Sequence, residues 1–213
     1  MYENIVRPLQ NVQDFIHWHD RFQSIFGYLA PFEGYALKLL AAGDMPAGEI
    51  VEIGSFMGRS TCWLAAGVMD KKGVKVNAVD HFKGSPEHQA GQFAECRELI
   101  EKGSTLENFK ANIKAAALEP YINPMVGTSE EMVRGWTKPI RLLFIDGDHS
   151  YEASKRDFEL WSPYVCNGGV IALHDISVFI GVTRFYRELM AGDHPYREIM
   201  KVKSLAIINK IGG

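Results

Sequence analysis

The stretch that most constrains the fold is Glu49-Ile-Val-Glu-Ile-Gly-Ser-Phe-Met-Gly-Arg-Ser-Thr61. Ile50, Val51 and Ile53 form a short run of β-branched apolar residues, the pattern of a strand buried on both faces. Glu52 interrupts the run just before Gly54, and Gly58 follows four residues on. Ser60-Thr-Cys-Trp-Leu-Ala-Ala66 then reads as a helix whose first turn carries hydroxyls. Strand, glycine turn and helix start together offer backbone N–H groups and a positive dipole end to an anion.

The spacing narrows the choice of anion. A dinucleotide fingerprint needs a second glycine where the pyrophosphate approaches the backbone, and Phe56 stands there. A P-loop ends in Gly-Lys-Ser/Thr, and here Gly58 is followed by Arg59. The remaining pattern, E-x-G-x-x-x-G-x-S, suits an amino-acid carboxylate beside Ser60, with Glu52 accepting from an ammonium or a water. S-adenosylmethionine carries a carboxylate and ammonium at one end and a nucleoside at the other. The plainer alternative is a buried strand, a structural turn and a capped helix with no ligand.

The 213 residues are read as one domain, with residues 1–46 as a helical cap and 47–213 as a cofactor-binding core. A hydrophobic content of 46% without a run long enough to span a bilayer points to a globular chain with no membrane partner. A net charge of −3 argues against nucleic acid as a partner. Met1–Pro8 shows no apolar signal core. Cys62, Cys96 and Cys166 lack metal or redox spacing and read as reduced thiols, which suggests a cytoplasmic protein.

Phe15, Trp18, Phe22, Ile25, Phe26 and Leu29 fall three or four apart, so a helix is expected over 11–29 and a second over 31–42. His17 and His19 are expected on the surface. Further strands are expected at 74–79, 122–126, 140–145 and 170–173, after a turn at Asn167–Gly169. Helices are expected at 93–102, 106–118, 153–161 and 181–191, with Ser129 capping another. Two last strands, 197–202 and 205–209, form a hairpin around Lys203-Ser204. This alternation argues a doubly wound, mostly parallel α/β sheet with one antiparallel strand.

In such sheets ligands bind beyond the carboxyl ends of the strands. Every polar motif falls there: Gly54–Ser60, Asp80-His81, Gly127-Thr128-Ser129, Asp146–His149 and His174-Asp175. Asp80, at the tip of the second strand, is placed to accept ribose hydroxyls. Asp146, Asp148, His149, His174 and Asp175 share one corner, and so many ionisable groups need pairing, water or a metal. Mg²⁺ suits the carboxylates; a histidine ligand such as His174 also admits Mn²⁺, Fe²⁺ or Zn²⁺. A salt-bridged loop pair without metal is the alternative.

Five segments carry a family resemblance: Ile50–Thr61, Ala78-Val-Asp-His-Phe82, Thr105–Asn112, Leu143-Phe-Ile-Asp-Gly-Asp-His-Ser-Tyr-Glu152 and Gly168–Asp175. The chain resembles the class I S-adenosylmethionine-dependent methyltransferases, most closely the family called methyltransferase domain 24. The resemblance implies a Rossmann-like methyltransferase fold of seven strands, the last antiparallel. It implies that Glu52, Gly54, Ser55, Gly58 and Ser60 hold the methionine end. Asp80 with His81 would hold the ribose, Thr128-Ser129 the adenine side, and Asp146 would also meet the cofactor. The chain is similar, more distantly, to cation-dependent O-methyltransferases. That implies Asp146, His174 and Asp175 as ligands to Mg²⁺ or Mn²⁺, although those relatives carry a carboxylate where His174 stands. It implies His149, with Asp146, as the catalytic pair, His149 being the general base.

The expected function is methyl transfer to a hydroxyl of a small molecule, a sugar or an aromatic, by in-line displacement. Two other functions stay open: a cofactor-binding module without catalysis, and a metal-dependent hydrolase using the Asp/His corner. A homodimer through the N-terminal helices is expected.

Overall fold

The computed structural model describes residues 3–212. Met1 and Tyr2, at the head of the expected helical cap, and Gly213, at the end of the expected core, lie outside the described residues, as do the side chains of residues 3–8. In chain order the elements are α1 (Glu3–Phe22), α2 (Pro31–Ala42), β1 (Glu49–Ile53), α3 (Arg59–Val68), β2 (Val76–Asp80), α4 (Arg97–Lys102), α5 (Leu106–Ala115) and β3 (Ile122–Val126). There follow α6 (Ser129–Val133), β4 (Ile140–Ile145), α7 (Tyr151–Trp161), β5 (Val165–Leu173), α8 (Ile180–Ala191), β6 (Tyr196–Val202) and β7 (Leu205–Lys210).

The strands form one sheet in the order β3-β2-β1-β4-β5-β7-β6. Pairings from β3 through β5 are parallel, and β7 runs antiparallel to both β5 and β6. The doubly wound sheet with one reversed strand is therefore as expected. The order reverses between β1 and β4, which opens a crevice at their carboxyl ends.

Successive strand residues face opposite sides of the sheet. Ile50, Ala78, Leu142, Phe144, Val170 and Ala172 pack with the first three helices and α5. Val51, Ile53, Val79, Leu143, Ile145, Ile171 and Leu173 pack with α7 and α8. Helices α2 and α3 touch so closely that glycine is required between them. A Cβ at Gly34 would lie 2.3 Å from Trp63 Nε1, and one at Gly67 would lie 2.4 Å from the Lys38 carbonyl oxygen.

Three expectations need correction. Helix α1 stops at Phe22, although Ile25 and Leu29 are still buried. The apolar spacing runs on through coil because the segment packs on the core without being helical. Asn167–Gly169 is not a turn before β5 but a bulge within it: Ile140 pairs with Val165 and Leu142 already with Val170, with Gly168 at φ +80°. Thr128 rather than Ser129 caps α6, its hydroxyl accepting from Glu131 N at 3.2 Å while Glu131 returns a bond to Thr128 N.

Candidate active site

One cavity of about 540 Å³ opens at the carboxyl ends of β1, β2, β3, β4 and β5. It is lined by the glycine loop, Asp80-His81, Gly127–Ser129, Asp146–His149 and His174-Asp175, so the motifs dispersed along the chain share one wall system.

At the glycine-loop end the structure is organised by Asp80. Its Oδ2 accepts from the backbone N–H groups of Ser55 at 2.9 Å and Phe56 at 2.7 Å, and its Oδ1 accepts from Phe82 N at 2.6 Å. Phe56 has φ +46° and Phe82 φ +57°, a left-handed backbone that bulky residues rarely adopt. One carboxylate thus holds both strained turns, and a ribose would share oxygens already engaged. His81 lies beside it, accepting from Lys83 N through Nδ1.

Gly54 lines the cavity, and close packing demands glycine both there and at Gly58. A Cβ at Gly54 would meet the Asp146 carbonyl oxygen at 2.1 Å, and one at Gly58 would meet Phe109 at 3.1 Å. Glu52 does not line the cavity; it is fully buried beneath the loop, and its Oε2 accepts from Thr61 Oγ1 at 2.5 Å. Burial pushes its pKa up to about 7 against the opposing hydroxyls of Ser60 and Thr61. Glu52 Oε1 and Ser55 Oγ are buried with no partner. Ser55 and Ser60 reach the cavity wall, next to the first-turn N–H groups of α3 that no helical carbonyl can satisfy. A ligand carrying carboxylate and ammonium fits an end built this way.

The opposite end is crowded with charge. Asp146, His149 and Asp175 each offer a ligand atom within 4.8 Å of the others. His149 Nε2 is 3.2 Å from Asp175 Oδ2, and Nδ1 is 2.5 Å from Glu87 Oε1. Phe179 stacks on the imidazole with centroids 4.0 Å apart. Burial disfavours the imidazolium, but Asp175, Glu87 and Asp146 outweigh it and raise the pKa to about 10. The near-neutral value expected of a general base is therefore not met while the carboxylates face His149 alone. Asp175 itself has φ +60°, strain of the kind that gathers at functional sites.

His174 is placed differently from the expectation. It is buried, with Nδ1 2.9 Å from Asp146 Oδ1 and Nε2 3.2 Å from Glu33 Oε2. Both ring nitrogens face carboxylates, and its pKa is raised despite burial by Asp146, Asp175 and Glu33. The three-residue set that suits a divalent cation is Asp146, Asp175 and His149 in place of His174. Two carboxylates and an imidazole fit Mn²⁺ or a similar ion.

Three acids escaped the sequence reading. Glu33, from the start of α2, is 1% exposed and accepts from Ala30 N, Ser204 N and Ser204 Oγ besides facing His174. Burial would raise its pKa, but His174 and Ser204 hold it down at about 2. Glu87 sits on a short 3-10 turn, Pro86–His88, inside the long polar loop. Its neighbour His88 is stacked between Tyr28 and Phe56, with centroid distances of 5.7 and 4.7 Å. Asp157 lies on the cavity side of α7. Only the stack could have been suspected, from the histidine and aromatics on either side of a flexible-looking loop.

The O-methyltransferase NovP superposes with TM-score 0.66 at 16% identity, covering 84% of this chain and 79% of NovP. An O-methyltransferase from Bacillus cereus, solved in complex with SAH, superposes with TM-score 0.59 at 18% identity, covering 94% and 91%. At such identity these likenesses show a shared fold. An uncharacterized protein of Acanthamoeba polyphaga mimivirus is 30% identical over 155 residues, 69% of this chain, and the chain spans 63% of that relative's length. A methyltransferase-domain model matches residues 51–176, from the glycine strand through Asp146 and His149 to Asp175. That span is more than half of the 213 residues and contains the glycine loop, Asp80, Asp146–His149 and His174-Asp175, and by it the chain belongs to the methyltransferase-domain family.

Proposed function

We propose that the chain transfers the sulfonium methyl of S-adenosylmethionine to a hydroxyl of a small molecule, a sugar or an aromatic. The observation that carries this reading is one cavity joining an amino-acid-binding end to an Asp/His corner. A hydrolase using the corner alone would leave the glycine-loop end without a role.

The chain's own contribution is alignment. Ser55, Ser60 and the α3 N-terminus hold the methionine end, so the methyl faces the corner. Fixing two reactants in line is worth roughly 7–11 kcal/mol of barrier. Asp146 and Asp175 would hold a divalent cation with His149, and such an ion, when bound, lowers the pKa of an acceptor hydroxyl. With Nδ1 on Glu87, the one nitrogen left to His149 is Nε2, which would serve the ion in this reading rather than take the hydroxyl proton. Glu87 keeps Nδ1 of that ring paired and its plane fixed.

Beyond the site, Leu9, Val12 and Ile16 are exposed at helical spacing on α1, which supports a homodimer through the N-terminal helices. No helix among the described residues is long and apolar enough to cross a membrane.

The test is incubation with methyl-labelled S-adenosylmethionine, Mn²⁺ and a panel of phenols, catechols and sugars. The expected result is labelled product together with SAH. A protein that neither binds SAH nor makes it with any acceptor overturns the reading.

A further inference from the structure

We propose that Asp157 reads the exocyclic amino group of the cofactor's purine, so that the cavity selects adenosine over inosine. The inference rests on the S-adenosylmethionine reading above and adds a specificity-determining residue to it.

Ala153, Arg156 and Asp157 follow helical i, i+3, i+4 spacing and line the cavity from α7. Gly127 and Gly147 line the same cavity. Gly147 also makes room for the carboxylate: a Cβ there would lie 3.0 Å from Asp157 Oδ2.

Asp157 is 5% exposed, yet no Lys, Arg or His nitrogen among the described residues lies within ion-pair distance of it. The adjacent Arg156 is turned away to Glu130 Oε1 at 3.0 Å. Ser129 Oγ accepts from Trp161 Nε1 at 2.8 Å, which orients the Ser129 hydroxyl proton away from the indole and toward the carboxyl. Burial raises the Asp157 pKa to about 6, with the Ser129 hydroxyl opposing. A buried carboxyl group with so little compensation is costly. It is stabilised by a ligand that brings neutral N–H donors. The 6-amino group of adenine has two; the 6-oxo group of hypoxanthine has none and would set oxygen against oxygen.

The experiment is calorimetric titration of SAH and of S-inosyl-L-homocysteine into the wild-type protein, Asp157→Ala and Asp157→Asn. Wild type should prefer SAH about tenfold to a hundredfold, the worth of one hydrogen bond to a charged group. Asp157→Ala should bring the two ligands to within about threefold, mainly by weakening SAH. Asp157→Asn should narrow or reverse the preference, because its amide N–H₂ can donate to the 6-oxo oxygen. Folding is checked by the melting temperature, which removal of a buried acid with no cation beside it should leave unchanged or raise. Equal wild-type affinity for the two ligands, or variants that keep the wild-type ratio, overturns the inference. A wild type that binds neither ligand overturns the cofactor reading itself, and this one with it.

Discussion

The two ends of the cavity satisfy their polar groups in opposite ways. At the glycine loop, one carboxylate, Asp80, gathers three backbone N–H groups, and no side-chain cation among the described residues holds it at hydrogen-bond distance. At the corner, carboxylates and imidazoles pair with one another: Glu87 with His149, His149 with Asp175, Asp146 and Glu33 with His174. Backbone satisfied by a fixed acceptor has a single low-energy arrangement. Side-chain charges can change partners when a ligand or cation arrives. The first end is therefore suited to holding a cofactor in place, and the second to exchanging protons and ions.

The sharpest way to break this contrast is Asp80→Ala. It strands three N–H groups in two left-handed turns, and the expected loss is about 3–5 kcal/mol in urea unfolding, with SAH binding lost as well. A loss under about 1 kcal/mol would remove Asp80 as the organiser of the loop. Next comes Glu33→Gln, which leaves His174 charged and half-paired. About 2–3 kcal/mol of stability should go at pH 6. The sign of its pH dependence follows from a folded pKa lowered to about 2. Glu33 contributes fully above its unfolded value near 4.5 and stops contributing as pH falls through about 2. The gap between wild type and variant should therefore close on acidification; a constant gap from pH 6 to pH 2.5 would show that the ion pair is not its source.

Cation retention then separates the two histidines. His149→Ala and Glu87→Gln should each weaken Mn²⁺ binding by about tenfold to a hundredfold, measured by elemental analysis after dialysis. His174→Gln should instead lower the melting temperature. The reverse pattern would restore His174 as the ligand. The smallest effect belongs to Gly58→Ala, at about 1–2 kcal/mol, from its left-handed backbone and the nearness of Phe109. Because that Cβ points away from the cavity, SAH affinity of the folded fraction should not change.

The strand Ile140–Ile145 was legible to the residue because a buried, largely apolar run bounded by polar motifs states its own ends. The end of α1 was not, since burial continues past Phe22 without helical backbone. The strand-end residues of the site were legible for the same topological reason that brings them together. Glu33 and Glu87 were not, because a helix start and a loop deliver them from far away in sequence, and no periodicity records where they point. The partner of His174 was hidden for that reason: its Nε2 faces Glu33, 141 positions earlier. The pKa of His149 is likewise raised by Asp175 together with Glu87, the latter 62 positions away.

The central claim is that one end of the cavity holds the cofactor independently of the other. Calorimetric titration of SAH into wild type and His149→Ala tests it most directly. The account expects micromolar binding, near −8 kcal/mol, with one site and the same affinity in both proteins. Absence of binding to wild type at millimolar SAH would contradict it.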